Sequence, residues 1–119
     1  MRGTGAAVRS YLDGDDMARW LLIAMTSDSC IDDVIHVGSD AAITIADLAG
    51  LVAARALAVI GKELVIEIEG TIALTDGRNR YVPQTTHTRS LLRLDESTPL
   101  SESIDGMLRV HRSAVSFSV

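Results

Sequence analysis

Apolar positions along this chain change period several times. Met17, Trp20, Leu21, Ala24 and Met25 recur at three- and four-residue spacing, which gathers side chains on one helix face. Asp13-Gly14-Asp15-Asp16 breaks the chain before them, and Asp15 or Asp16 is placed to cap that helix. Ser27 to Asp33 is polar and reads as a loop, and Val34-Ile35-His36-Val37 then reads as a short buried strand ended by Gly38. Thr44-Ile45-Ala46-Asp47 has the form of a capping box with Asp in the usual Glu or Gln place. The helix it opens carries Ile45, Leu48, Val52, Ala56 and Val59 along one face, and Gly61 stops it. From Leu64 to Glu69 the period becomes two: Leu64, Ile66 and Ile68 face one way, and Val65, Glu67 and Glu69 the other.

After Gly70, Thr71 to Leu74 is a candidate second strand, and Thr75 to Arg80 a polar loop. Tyr81-Val82-Pro83 is extended, and Thr85 or Thr86 is placed to cap a short helix through Leu92. Thr98-Pro99 starts a last helix, with Pro at its first position and Leu100, Ile104, Met107, Leu108 and His111 along it. Ser113 to Val119 reads as a tail. The pattern predicts a mixed α/β (α+β) fold, one small domain of about four helices and three to four short strands.

The length, 119 residues, fits one domain with one real core. Aromatics are only 3%, so Leu, Ile, Val, Ala and Met must fill that core. A net charge of −5 argues against nucleic acid, which calls for a surplus of cations on one face. The basic residues are ten Arg and the single Lys62; the planar fork of Arg suits phosphate or carboxylate. Cys30 is the only cysteine, so no intramolecular disulfide forms, in keeping with a reducing compartment. Met1 to Ala7 lacks the apolar run of a signal peptide, and Trp20 to Met25 is far too short to span a bilayer. A cytoplasmic protein with no membrane partner is expected.

Few residues form a recognisable chemical constellation. Asp13, Asp15 and Asp16 lack the alternating ligands and distal Glu of a calcium loop, so a helix cap is the better reading. His36, His87 and His111 lie on three elements without ligand spacing, and Cys30 is across a loop from His36, so no metal site is expected. Ser39 has no Gly-x-Ser-x-Gly elbow around it and reads as a turn residue. Trp20 reads as a core or interface anchor.

Four stretches in order carry a resemblance. They are Gly3-Thr4-Gly5 through Arg9-Ser10-Tyr11-Leu12 to Asp15-Asp16 and the first helix; Ile35-His36-Val37-Gly38-Ser39; Ile43-Thr44-Ile45-Ala46-Asp47-Leu48-Ala49; and Asn79-Arg80-Tyr81-Val82-Pro83-x-Thr85 with Pro99-Leu100-x-Glu102-x-Ile104. Together they resemble the C-terminal part of an NAD-dependent epimerase/dehydratase, an extended short-chain dehydrogenase/reductase acting on nucleotide sugars. The wording of the last stretch is nearest the enzymes for CDP- or dTDP-linked sugars. Residues 1–112 would be the substrate-binding lobe and 113–119 a tail.

The resemblance implies an enzyme with an N-terminal Rossmann part that binds NAD(P), a Tyr-x-x-x-Lys pair, and a C-terminal part closing over the nucleoside diphosphate. Arg9 matches the family Arg that reaches the diphosphate. Asn79 and Arg80, with Arg78 beside them, match the loop touching nucleotide or phosphate. The sequence departs at Ala73-Leu74-Thr75-Asp76-Gly77, where relatives often carry an Arg-Pro-Gly type motif, and at Asp13-Gly14, Gln84 and Leu91. Gly3-Thr4-Gly5 lacks a third glycine, Lys62 follows Ala58 by four, and Tyr11 and Tyr81 precede Asp15 and Thr85 by four, so neither the cofactor turn nor the proton-transfer pair is in this sequence.

The expectation is therefore a truncated lobe, with no catalytic residue, no cofactor bound by this chain and NAD(P) implied only for the parent. The lobe would hold a nucleotide-sugar ligand through Arg9, Asn79 and Arg80 and work with a separate Rossmann chain. The alternative is a non-catalytic, self-associating or partner-binding module. In that module a bare apolar face built on Met17, Trp20, Leu21 and Val34 to Val37 is expected to make a homodimer or larger.

Overall fold

The computed structural model describes residues 3–28, 33–70, 79–94 and 98–116, with only the backbone of 113–116. Cys30, Arg78, the candidate strand over 71–74 and the end of the expected tail lie outside the described residues. Within them the order is β1 (Val8–Arg9), α1 (Gly14–Thr26), β2 (Ile43–Thr44), α2 (Ile45–Ile60), α3 (Thr86–Leu92) and α4 (Leu100–Ser116). This is the small mixed α/β domain that the pattern predicts. Among the described residues the sheet is two-stranded: β1 and β2 pair antiparallel, Val8 opposite Thr44 and Arg9 opposite Ile43. A parallel bridge joins Val8 to Arg80.

Among the described residues the expected strands over 34–37 and 64–69 form no ladder. Alternation makes a chain extended, but a strand also needs a neighbour for its backbone groups. Residues 34–37 keep the alternation: Ile35 and Val37 are half-buried, whereas Val34 is 78% exposed and His36 points outward. A side chain anchors this stretch instead, the His36 N–H donating to Thr88 Oγ1 at 2.9 Å.

The cap of α1 is Asp13, not Asp15 or Asp16: its Oδ1 accepts the Asp15 N–H at 2.9 Å. Asp16 is turned inward, where its carboxylate accepts the Thr98 N–H and a bond from Arg19 Nη2 at 3.2 Å. A carboxylate taken out of water needs such partners, and meeting them fixes the rotation of the helix. The inner stripe is consequently Asp16, Trp20, Ile23 and Ala24, while Met17, Leu21 and Met25 face out. Trp20 packs on Leu92 and Leu94, with Ile23, Ala24, Ile35 and Val37 around them, which makes one small core.

The start and stop of α2 are as the pattern predicts. Thr44 Oγ1 accepts the Asp47 N–H at 3.0 Å and donates to the Asp47 carboxylate at 2.6 Å. The N–H groups of Ile45 and Ala46 bond to the carbonyls of Ala7 and Gly5, both at 3.0 Å. Gly61 ends the helix in the left-handed conformation at φ 67°. The predicted face, Ile45 through Val59, is the inner one, and Ala56 is fully buried on it.

Helix α4 packs against α2 through buried Ile104. Pro99 caps α4 rather than occupying its first turn, since its carbonyl accepts the Ser103 N–H at 3.2 Å. Leu100, Ile104 and Leu108 turn inward, whereas Met107 is 65% exposed and His111 points out. The helix also runs through Ser116, across the start of the expected tail.

Two small cores leave a thin molecule, 48 × 44 × 20 Å. Its radius of gyration of 17.4 Å exceeds the ~13.5 Å expected of a compact chain this long. Its 8636 Å² of accessible surface likewise exceeds the roughly 6,200 Å² of a typical monomer of 12.7 kDa.

Candidate functional site

The two-stranded sheet organises the site. β1 is pinned on one side by β2 and by the first turn of α2, whose donors take the Gly5 and Ala7 carbonyls. On the other side the chain returns at Asn79 and Arg80: Val8 bridges Arg80, and the Tyr81 N–H donates to the Val8 carbonyl at 3.0 Å. Arg9 closes the arrangement, its Nη1 donating to the carbonyls of Val8 at 2.7 Å and Asn79 at 2.8 Å. The fold thus brings Arg9, Asn79 and Arg80 to one sheet edge from sequence positions seventy residues apart. Val8 and Tyr81 hold them through backbone atoms alone, which no side-chain motif could have signalled.

Arg9 is half-buried, and Asn79 and Arg80 are exposed. The two carbonyl bonds use only Nη1 of Arg9, leaving the donors of Nε and Nη2 on the same planar group. A guanidinium fixed at its base with donors left over is suited to the oxygens of an anion.

A wide cleft lies elsewhere. About 1030 Å³ of open space separates the start of α1 from α4, and Asp13, Asp15, Glu102 and Asp105 line it together with Arg109 and His111. Its surplus of carboxylates makes it unfit for a phosphate ligand. No group of three metal-ligating side chains occurs among the described residues. His36, His87 and His111 are apart, and His87 is engaged with Asp33, Nε2 to Oδ2 at 2.9 Å. That bond holds the Asp33 carboxyl below its usual range.

The interface expectation needs one correction. Met17 and Leu21 are 48% and 44% exposed on the outer face of α1, but Trp20 is 1% exposed and belongs to the core. Its large ring outcompetes its neighbours for the space between α1 and Leu92, because it removes the most apolar surface from water.

The described residues do not fit NAD(P). Gly3 and Gly5 adopt φ 101° and 70°, but they lead into β1 rather than into a helix. The N–H groups opening α2 are already bonded to the chain's own carbonyls and hydroxyl. Gly3 is itself covered: a Cβ on Gly70 would lie 2.5 Å from the Gly3 carbonyl carbon.

The sequence matches no family model. It matches no curated protein either. No helix among the described residues is long and apolar enough to cross a membrane. Among solved structures the chain is similar to UDP-glucuronic acid 4-epimerase from Bacillus cereus, whose structure is a complex with NAD. The match has 19% identity and a TM-score of 0.61 and covers 88% of this chain, which spans only 30% of the epimerase chain. The likeness therefore establishes a shared fold: this small α/β unit is built like one part of that larger enzyme chain.

Proposed function

We propose that this chain is the substrate-binding lobe of an NAD-dependent nucleotide-sugar epimerase or dehydratase, not catalytic by itself. Arg9 and Arg80 grip the diphosphate, and Asn79 positions the loop that carries Arg80. The observation that carries this reading is the Arg9–Asn79 bond, which joins the two places where the family resemblance implies substrate contacts. The hydride and proton chemistry belongs to an NAD(P)-binding Rossmann part, whose residues this sequence lacks. The surface excess supports a lobe that is covered in its working state: roughly 2,400 Å² above a compact monomer is more than the ~800 Å² that each partner buries in a standard interface. Calorimetric titration with CDP-, dTDP- and UDP-sugars tests the proposal. Saturable binding that Arg9→Ala and Arg80→Ala both weaken is expected; a folded chain giving no heat with any of them would overturn it.

A second reading rests on α1. Met17, Leu21, Leu22 and Met25 are between 44% and 82% exposed on it, and Val34 is 78% exposed. Such a contiguous apolar strip is commonly covered by another chain. In this reading the protein is a self-associating module in the cytoplasm, and light scattering gives a dimer that Leu22→Glu dissociates. A monomer at high concentration would exclude it.

A further inference from the structure

A small pocket of about 250 Å³ opens between Tyr11 beyond β1, the turn at Ser39 and Asp40, Arg89 on α3, and Pro99 and Leu100 at the start of α4. Arg9, Asn79 and Arg80 are not among these lining residues, so the pocket is separate from the cationic edge. Both signs of charge line it. The Arg89 side chain is 32% exposed, and its Nη1 stands 3.9 Å from Asp40 Oδ2, too long for a hydrogen bond. Asp40 is held in place from behind: Thr85, itself buried, donates its hydroxyl to the same Oδ2 at 3.3 Å. The Asp40 side chain nonetheless stays half open, at 52% exposure. Cation and carboxylate are thus aligned without being closed on each other. Two hydroxyls join them. Ser39 Oγ accepts the Ala41 N–H at 3.1 Å, which leaves its own proton to donate. Tyr11 is 40% exposed and brings a ring as well as a phenol.

We infer that this pocket takes a small α-amino acid as its zwitterion. The carboxylate lies on the Arg89 guanidinium, the ammonium on Asp40, and a short apolar side chain against Pro99, Leu100 and the Tyr11 ring. Charge selects this class of ligand. A plain anion would meet Asp40 and a plain cation would meet Arg89, whereas a molecule carrying both charges close together leaves neither side chain facing its own sign. The planar fork of Arg89 offers a carboxylate two parallel donors. Size limits the ligand as well, since the pocket falls below the ~300–1,000 Å³ that holds drug-sized molecules.

The test is an NMR titration of the isotope-labelled whole chain at neutral pH and 0.15 M salt. L-valine should shift the amides of Ser39, Asp40 and Arg89 saturably. N-acetylvaline lacks the ammonium and valinamide the carboxylate. Each should bind at least tenfold more weakly, the effect of one charge-assisted hydrogen bond. Both comparisons use the native chain, so they stand whatever a substitution does to folding. Arg89→Gln and Asp40→Asn should each abolish the saturable shifts. Arg9→Ala and Arg80→Ala should leave the valine titration unchanged, which separates this pocket from the nucleotide reading. N-acetylvaline or valinamide binding as well as valine would overturn the inference, and so would the lack of any saturable shift. So would glucose moving the same amides as readily, since the pocket would then hold paired hydroxyls without regard to charge.

Discussion

Arg55 on α2 grips the carboxylate of Asp105 on α4 with two parallel hydrogen bonds, Nε to Oδ1 at 2.6 Å and Nη2 to Oδ2. The pair ties the helix carrying buried Ala56 to the one carrying buried Ile104. A fork-to-carboxylate bond of this kind has a direction that Lys cannot reproduce. Asp105→Ala and Arg55→Lys should therefore each lower the melting temperature. The double variant should lose less than the two separate losses combined, because each single change strands the other partner. Additive losses in thermal denaturation would mean that the pair carries no coupling.

Acid should release this contact and others together. The Arg55 bond holds Asp105 below the usual aspartate value of 3.8, and the Thr98 N–H does the same for Asp16. A carboxylate with a lowered native pKa binds fewer protons folded than unfolded. Its stabilisation is complete above about 3.8 and disappears as pH falls through the lower native value. Urea midpoints should therefore hold steady in mild acid and drop below about pH 4, and Asp105→Asn should flatten that drop. An unchanged slope in the variant would remove Asp105 from the acid transition.

The helices were legible because their signals are local. The α2 box at Thr44 and Asp47, its stripe from Ile45 to Val59 and its stop at Gly61 all lie within one stretch of chain. The rotation of α1 was not legible, because it depends on a bond between Asp16 and Thr98, eighty-two residues away. Residues 64–69 show that alternation does not specify a neighbour: among the described residues they join no ladder. The candidate site was legible only as separate pieces. Arg9 and the Asn79-Arg80 loop could be picked out by resemblance, but their meeting depends on backbone bonds from Val8 that carry no residue signature.

Glycines separate cleanly by what surrounds them. A Cβ on Gly38 would lie 2.7 Å from Pro83 Cγ, against a ring that cannot swing away. Gly61 needs a left-handed φ of 67°. Ala at either position should destabilise, by ~1 kcal/mol or more at Gly61. Gly50 in α2 and Gly106 in α4 have open space at the Cβ position, so Ala there should stabilise by ~0.5–1 kcal/mol. Chemical denaturation of the four variants should divide two against two.

Trp20 is the only tryptophan and is 1% exposed, so it reports on its own core. Its native emission should be blue-shifted and poorly quenched by iodide, and should move red in one step with urea. Trp20→Ala should cost ~3–5 kcal/mol. That is a large share of the ~5–15 kcal/mol typical of a whole domain, so the variant should be mostly unfolded by circular dichroism. Strong iodide quenching in the native protein would move Trp20 to the surface and restore it as an interface anchor.

Arg9 and Arg80 should fail differently. Arg9 bonds to the Asn79 carbonyl, so Arg9→Ala loosens the 79–81 loop as well as removing a cation. Arg80 is exposed and joins the sheet through its backbone, which its side chain does not affect. Arg80→Ala should therefore weaken nucleotide-sugar binding without moving the melting temperature, whereas Arg9→Ala should lower both. A charge-assisted hydrogen bond corresponds to a ~10- to 100-fold change in affinity, well within calorimetric range. Arg9→Lys separates charge from shape. Lys keeps the cation, but its single nitrogen cannot stay on the two carbonyls and also present a planar fork to a phosphate, so its affinity should lie nearer the Ala variant than the native chain. Full affinity in Arg9→Lys would show that a point charge is enough and that the fork has no part in binding.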